Sequence, residues 1–204
     1  MNPPTDYRMF EYDKRLVPSK WVRQNEGTPA IGLSPGYPAW GLLYYAVLAH
    51  LRADKHNLIL EVGTNYGTST IIIAQALIDS GREGGIETIE IDPATAAIAA
   101  DHFKEAGVSE IIDQLIGESV WVIRNLYNPV QIAFIDGSHE CQNVVWDFEA
   151  VLNILRKDGL VIFDNTTMGG VHDALKVIKT NHGGNFVEFP CCSWSPAGMV
   201  FWKR

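Results

Sequence analysis

The chain has 204 residues, 47% of them apolar and 20% charged, enough for one domain with a full hydrophobic core. Acids outnumber bases 24 to 16 and no lysine or arginine cluster occurs, which argues against a nucleic-acid partner held in a basic groove. No apolar run approaches the roughly 20 residues of a membrane span, the N-terminus has no apolar signal core, and the three cysteines (Cys141, Cys191, Cys192) have no C-x-x-C spacing, so a cytoplasmic protein without disulfides, zinc or membrane partners is expected.

Residues 1 to about 35 mix proline, aromatic and charged residues without periodicity, and Pro35-Gly36-Tyr37-Pro38 marks a turn. A helix is expected from Ala39 to Leu51. Strand and helix patterns then alternate. Strands are expected at Asn57–Val62, Ile86–Ile91, Glu110–Ile116, Val130–Ile135 and Gly159–Phe163. Helices are expected at Thr68–Ser80, Ala94–Ala106, Ser119–Tyr127 and Glu140–Arg156. In the last helix Val144, Phe148, Val151, Leu152 and Leu155 share one face, with Gly159 to end it. This alternation predicts a parallel sheet with helices on both faces. A short helix, Val171 to Thr180, is followed by two runs without a helix between them, Asn185–Phe189 and Gly198–Lys203. They read as a hairpin that gives the sheet an antiparallel edge strand.

Ligands of such sheets bind beyond the carboxyl ends of the strands. After the first strand comes Glu61-Val62-Gly63-Thr64-Asn65-Tyr66-Gly67-Thr68-Ser69, a tight turn leading straight into a helix. It has neither the G-x-G-x-x-G of dinucleotide sites nor the lysine of a phosphate loop. Asn65 suits a left-handed position between the two glycines. Glu61 would repel a phosphate and suits an amino group, so the loop reads as a site for a nucleoside carrying an amino acid. An acid after the second strand suits a ribose diol: Glu90 is the candidate and Asp92 its rival, although Asp92-Pro93 also reads as a helix start. The third strand leads to Gly117-Glu118-Ser119, the fourth to Asp136-Gly137-Ser138-His139, and the fifth to Asp164-Asn165. Asp136, Asp164 and Asn165 make an all-oxygen set suited to Mg²⁺, Ca²⁺ or Mn²⁺, or else they cap a helix and tie a loop. His139, beside them, is a usable base near neutral pH. His50, His56, His102, His172 and His182 have no such setting.

From residue 39 to the end, these motifs resemble class I S-adenosylmethionine-dependent methyltransferases, and more narrowly the metal-dependent small-molecule O-methyltransferases of the catechol and caffeoyl-CoA type with their bacterial natural-product relatives. The resemblance implies a Rossmann-like, doubly wound α/β fold with a seven-stranded mixed sheet over residues 39–204, and residues 1–38 as a cap on the substrate side. It implies S-adenosylmethionine and Mg²⁺ as cofactors. The cofactor would touch Glu61, Gly63, Thr64, Asn65, Tyr66, Gly67, Ser69, Glu90, Ile91, Glu118, Ser119 and Asp136. Within that set, the Glu61–Gly67 loop would hold the methionine part with Ser69 near its carboxylate. Glu90 would take the ribose, and Glu118 and Ser119 would sit at the adenine. Asp136, Asp164 and Asn165 would hold the metal. Catalysis would fall to Asp136 and to His139, which stands where the catechol enzymes carry a lysine. A homodimer also fits the resemblance.

The expected activity is methyl transfer to a hydroxyl of a small-molecule acceptor. A metal-independent methyltransferase and a non-catalytic S-adenosylmethionine-binding protein remain open, with a nicotinamide oxidoreductase more distant because of the glycine spacing. The aromatics Tyr7, Phe10, Tyr12, Trp21, Tyr37 and Trp40 either line an acceptor pocket or pack a core or dimer interface, and Cys191, Cys192 and Trp194 carry the same ambiguity.

Overall fold

A computed structural model describes residues 39–189 and 198–204. In chain order these form α1 (Ala39–His50), β1 (Asn57–Val62), α2 (Thr68–Ser80), β2 (Gly84–Glu90), α3 (Pro93–Ala106), β3 (Ile112–Ile116), α4 (Ser119–Arg124), β4 (Val130–Ile135), α5 (Cys141–Ile154), β5 (Leu155–Phe163), α6 (Gly169–His182), β6 (Asn185–Phe189) and β7 (Met199–Lys203).

The strands join in one seven-stranded sheet of order β3-β2-β1-β4-β5-β7-β6. β1 to β5 are mutually parallel, and β7 is antiparallel to both β5 and β6. The antiparallel strand therefore lies one place in from the edge. The expected C-terminal antiparallel hairpin is thus β6–β7; the difference is one of place, since β6 takes the edge, paired antiparallel to β7, and runs in the same sense as β1 to β5. The chain builds outward from β1 to β3 and then returns to lay β4 on the other side of β1. The reversal opens a crevice between β1 and β4, where such sheets bind ligands.

Side-chain alternation along the strands feeds two cores. Ile59, Ile132, Phe134, Leu160 and Ile162 face one side with α1, α2 and α3. Leu58, Leu60, Ala133, Ile135, Val161 and Phe163 face the other with α4, α5 and α6. Covered on both faces, β1 and β4 are buried at every position, which is why their sequences are nearly continuous apolar runs. Edge strand β3 has no fully buried residue. Among the described residues no helix is long and apolar enough to cross a membrane.

Several boundaries differ from the sequence pattern for local reasons. Ser109–Ile111 forms a 3₁₀ turn, so β3 starts at Ile112 rather than Glu110. α4 stops at Arg124, leaving Tyr127 exposed beyond it. α5 ends at Ile154 because Leu155 turns to extended backbone and pairs with Val130, with a register shift before Leu160 meets Ile132. Gly159 thus sits in that irregular segment, pressed against Leu155, rather than ending the helix. Of the aromatics singled out above, Trp40 packs half-buried on the α1 core. Tyr7, Phe10, Tyr12, Trp21 and Tyr37, with Cys191, Cys192 and Trp194, lie outside the described residues.

Candidate functional site

Hydrogen bonds between the strand ends hold the five loops at a common level. Gly117 N donates to Glu90 O (2.9 Å), and Gly63 N and Thr64 N donate to Ile89 O (3.0 and 3.1 Å). Asp136 N donates to Val62 O (2.9 Å) and Asp164 N to Ile135 O (3.3 Å). Above them opens a cavity of about 690 Å³. Of the residues expected at the site, Gly63, Thr64, Asn65, Ser69, Glu90, Ile91, Glu118, Ser119, Asp136, His139, Asp164 and Asn165 line it. Across the sheet they run in strand order: Glu118 and Ser119 beyond β3, Glu90 beyond β2, the Gly63 loop beyond β1, Asp136 and His139 beyond β4, Asp164 and Asn165 beyond β5.

The β1–α2 loop owes its shape to three left-handed residues, Gly63 (φ 97°), Asn65 (φ 47°) and Gly67 (φ 84°). Asparagine is the non-glycine residue that tolerates this region best. A side chain at Gly63 would overlap the Asp136 carbonyl, so the glycine is what lets the β1 and β4 loops touch. Glu61, Tyr66 and Gly67 are not part of the cavity wall. Glu61 is completely buried beneath the loop. Thr70 Oγ1 and Thr88 Oγ1 donate to its Oε2, the latter at 2.5 Å, while Oε1 has no hydrogen-bond partner. Burial pushes its carboxyl up to about 7, against the pull of the Ser69, Thr70 and Thr88 hydroxyls.

The two acids after β2 separate cleanly. Glu90 Oε2 accepts from Asn65 N (2.8 Å), and Oε1 accepts from Ile91 N and Asp92 N (3.0 Å each), which locks its carboxylate at the cavity wall. Asp92 instead caps α3, accepting from Ala94 N and Thr95 N, with Pro93 at the first helical position.

On the far side Asn165, itself left-handed (φ 55°), donates through Nδ2 to Asp136 Oδ1 at 2.9 Å. His139 Nε2 lies 3.7 Å from the same oxygen, and the Asp136 carboxylate holds the imidazole above its usual value. Asp164 is almost fully buried, with Oδ1 unpartnered. Burial, then the nearby Asp136 charge, pushes its carboxyl upward. Two neighbouring carboxylates, one with a buried, orphaned oxygen, and an amide beside them are what a hard divalent cation would satisfy. Among the described residues no three His, Cys, Asp or Glu side chains cluster at metal-binding distance, and the set here has only two.

Sequence reasoning passed over α5. Asp147, Asn143 and Trp146 all line the cavity. Ser119 Oγ donates to Asp147 Oδ1, and burial raises Asp147 to about 6. The available signal was an acid within an apolar stripe, since Asp147 sits three residues after Val144 and four before Val151.

A family model described as a methyltransferase domain matches residues 60–166, just over half of the chain and every strand end described above. A catechol O-methyltransferase of Niastella koreensis is 31% identical over 170 residues, covering 81% of this chain and 72% of the relative. A catechol O-methyltransferase of Mycobacterium tuberculosis is 29% identical over 113 residues, 55% of this chain and 49% of its own, so the chain spans about half of that relative. The structure of an O-methyltransferase from Bacillus cereus in complex with SAH superposes with a TM-score of 0.70 at 20% identity, covering 100% of this chain and 94% of that one. The fold, with its cavity at the β1–β4 reversal, is the class I methyltransferase fold. The chain belongs to the methyltransferase domain family, as an S-adenosylmethionine-dependent O-methyltransferase.

Proposed function

We propose that the protein transfers the methyl group of S-adenosylmethionine to a hydroxyl of a small molecule, with Mg²⁺ held by Asp136, Asp164 and Asn165. The observation that carries this reading is the convergence of those three residues and His139 on one end of the cavity, with the buried Asp164 Oδ1 left without a partner.

In this reading the cofactor lies along the strand ends. The adenine lies by Glu118 and Ser119. The ribose hydroxyls donate to Glu90, whose carboxylate is already oriented by three backbone N–H groups. The methionine part lies on the Gly63–Asn65 turn, with its carboxylate at Ser69 and the N-terminus of α2, where free N–H groups and the helix dipole favour an anion. Glu61 supports this loop from below: Thr70 and Thr88 donate to its Oε2, and its unpartnered Oε1 is the acceptor left for the amino group of the methionine part. The sulfonium methyl would then face the Asp136 and His139 end.

The cation would supply Lewis acidity that lowers the pKa of the acceptor hydroxyl. His139 Nε2 takes the hydroxyl proton. The oxygen forms its bond to the methyl carbon as the carbon–sulfur bond breaks, and the thioether leaves. Orientation of the two reactants can contribute about 7–11 kcal/mol to such a step. The relatives named as catechol O-methyltransferases make an aromatic diol the first acceptor to test. With an imidazole, His139, as the proposed base, the screen extends to phenols and alcohols.

The test is calorimetric titration with S-adenosylmethionine, and with NADH in parallel, in Mg²⁺ and in EDTA, followed by methyl transfer assays. Binding of the first ligand only, with turnover lost in EDTA, is the expected result. A second reading, metal-independent transfer, is favoured by the direct Asn165–Asp136 hydrogen bond, which ties the set together without a cation. Turnover undiminished both in excess EDTA and in Asp136→Ala would establish that second reading. His139→Gln is expected to lower kcat by about 10²–10⁴-fold, the usual contribution of a general base, with cofactor affinity unchanged. An unaltered kcat removes His139 from the mechanism.

A further inference from the structure

The cavity wall beyond β3 holds a buried acid that methyl transfer itself does not use. Asp147 lies in the middle of α5 among Val144, Val145, Phe148 and Val151, all buried. A carboxylate in such surroundings is unfavourable unless partners recover what water supplied. Ser119 provides one: its hydroxyl donates to Asp147 Oδ1. A serine has a single hydroxyl proton, so once it is committed to Asp147 the remaining valences of both groups are lone pairs. Both residues line the cavity, as does the neighbouring carboxylate of Glu118. Trp146 and Ile91 line it too, and both expose apolar surface against which a planar base can lie.

The sheet order locates what this wall would meet. It lies one strand beyond Glu90, on the side away from Asp136 and His139. A ligand with its ribose at Glu90 and its reacting end at Asp136 has its base here. We propose that Asp147, together with the Ser119 hydroxyl it orients, determines the specificity of the site for the base of the cofactor. The pair forms an acceptor-only wall that takes the N–H of a 6-amino purine and turns away a 6-oxo purine, whose carbonyl would face lone pairs. This rests on the cofactor placement proposed above.

The test is calorimetric titration of S-adenosylhomocysteine and of S-inosylhomocysteine, its 6-oxo counterpart, into the wild type, Asp147→Asn and Ser119→Ala. Asp147→Asn keeps the side-chain shape and exchanges one acceptor for an N–H donor. The wild type is expected to prefer the 6-amino ligand by about tenfold or more, the scale of one unpaired buried polar group. In Asp147→Asn that preference should narrow by about tenfold, with weaker 6-amino and stronger 6-oxo binding. Ser119→Ala should narrow it in the same direction, and it serves alone if the asparagine variant does not fold. A wild type that binds both ligands equally, or variants that keep the wild-type ratio, would overturn the proposal and leave Asp147 as a structural partner of Ser119. A wild type that binds neither ligand overturns the cofactor placement itself, which is a separate result.

Discussion

Glu61 carries an ionisable group to the middle of the molecule, under the turn that shapes the cavity. Its carboxyl is raised from 4.5 to about 7, first by burial. The sign of its effect on stability follows. Below about 4.5 the group is protonated in both folded and unfolded chains and the native state loses nothing. As pH rises from about 4.5 to about 7 the unfolded chain ionises freely while the folded one keeps its buried carboxyl protonated, so stability falls across that window, by something on the order of 3 kcal/mol, and levels off above it. Glu61→Gln removes the titration. Its melting temperature should therefore gain on the wild type between pH 5 and pH 8, and a difference that stays flat across that range would sink the idea. Gly63 is the second constraint on the same turn. Gly63→Ala combines φ 97° with overlap of the Asp136 carbonyl. It should lose about 1–3 kcal/mol, the usual range for forced overpacking, and should weaken S-adenosylmethionine binding. Gly81→Ala, also left-handed but with open space around it, is the control: melting falls and binding does not. At this scale the sequence shows which acids follow the strands but not which way each one turns. In the sequence Glu90 is the candidate and Asp92, despite its helix-start setting, stays its rival; the structure separates them, with Asp92 capping α3 and Glu90 held at the cavity wall. Asp147 was hidden because a helical acid usually faces solvent.

Elements are far more legible than side chains, and the reason is burial. β1 and β4 are covered on both faces, so their apolar runs end where the cover ends, and the expected limits Asn57–Val62 and Val130–Ile135 match the structure residue for residue. α2 is bracketed by Gly67 and Gly81, both left-handed, and its limits match too. The sequence pattern fails where a tertiary contact decides. Leu155 has good helical spacing, yet it leaves the helix to pair with Val130. The antiparallel strand lies inside the edge because β7 docks on β5 with both its neighbours antiparallel, a choice of partner that local pattern does not encode. A measurement separates the roles of the two β2 acids at this scale. Asp92→Ala removes the cap of α3 and should lower stability by about 1 kcal/mol while leaving S-adenosylmethionine affinity within experimental error. A large loss of affinity would mean that Asp92, not Glu90, is the ribose acid.

The whole molecule places its ligand cavity and its mechanical anchor at different ends. The cavity takes residues from the ends of β1 to β5, so a ligand that spans it joins strands on both sides of the β1–β4 reversal. The anchor is Trp202 of β7, almost fully buried, with Nε1 donating to Gly183 O at 2.8 Å and its ring edge-on to Phe148 at 5.0 Å. Trp202 does not line the cavity, so stability and binding should come apart under mutation. S-adenosylmethionine at a hundred times its Kd should stabilise the wild type by about 2.7 kcal/mol, which for a chain of this size is a rise of about 5–11 °C in Tm. Trp202→Phe leaves the Gly183 carbonyl without its donor and loses packing, so it should lower the Tm of the free protein at a loss of about 1–3 kcal/mol. The same ligand should still raise the Tm of that variant by the wild-type increment, because nothing the ligand touches has changed. Glu90→Gln should behave in the opposite way, with a smaller ligand-induced rise at equal concentration. If Trp202→Phe instead abolished the ligand-induced rise, the β7 side of the sheet would be coupled to the cavity. The strand ends could not then be treated as a site that the rest of the fold merely carries.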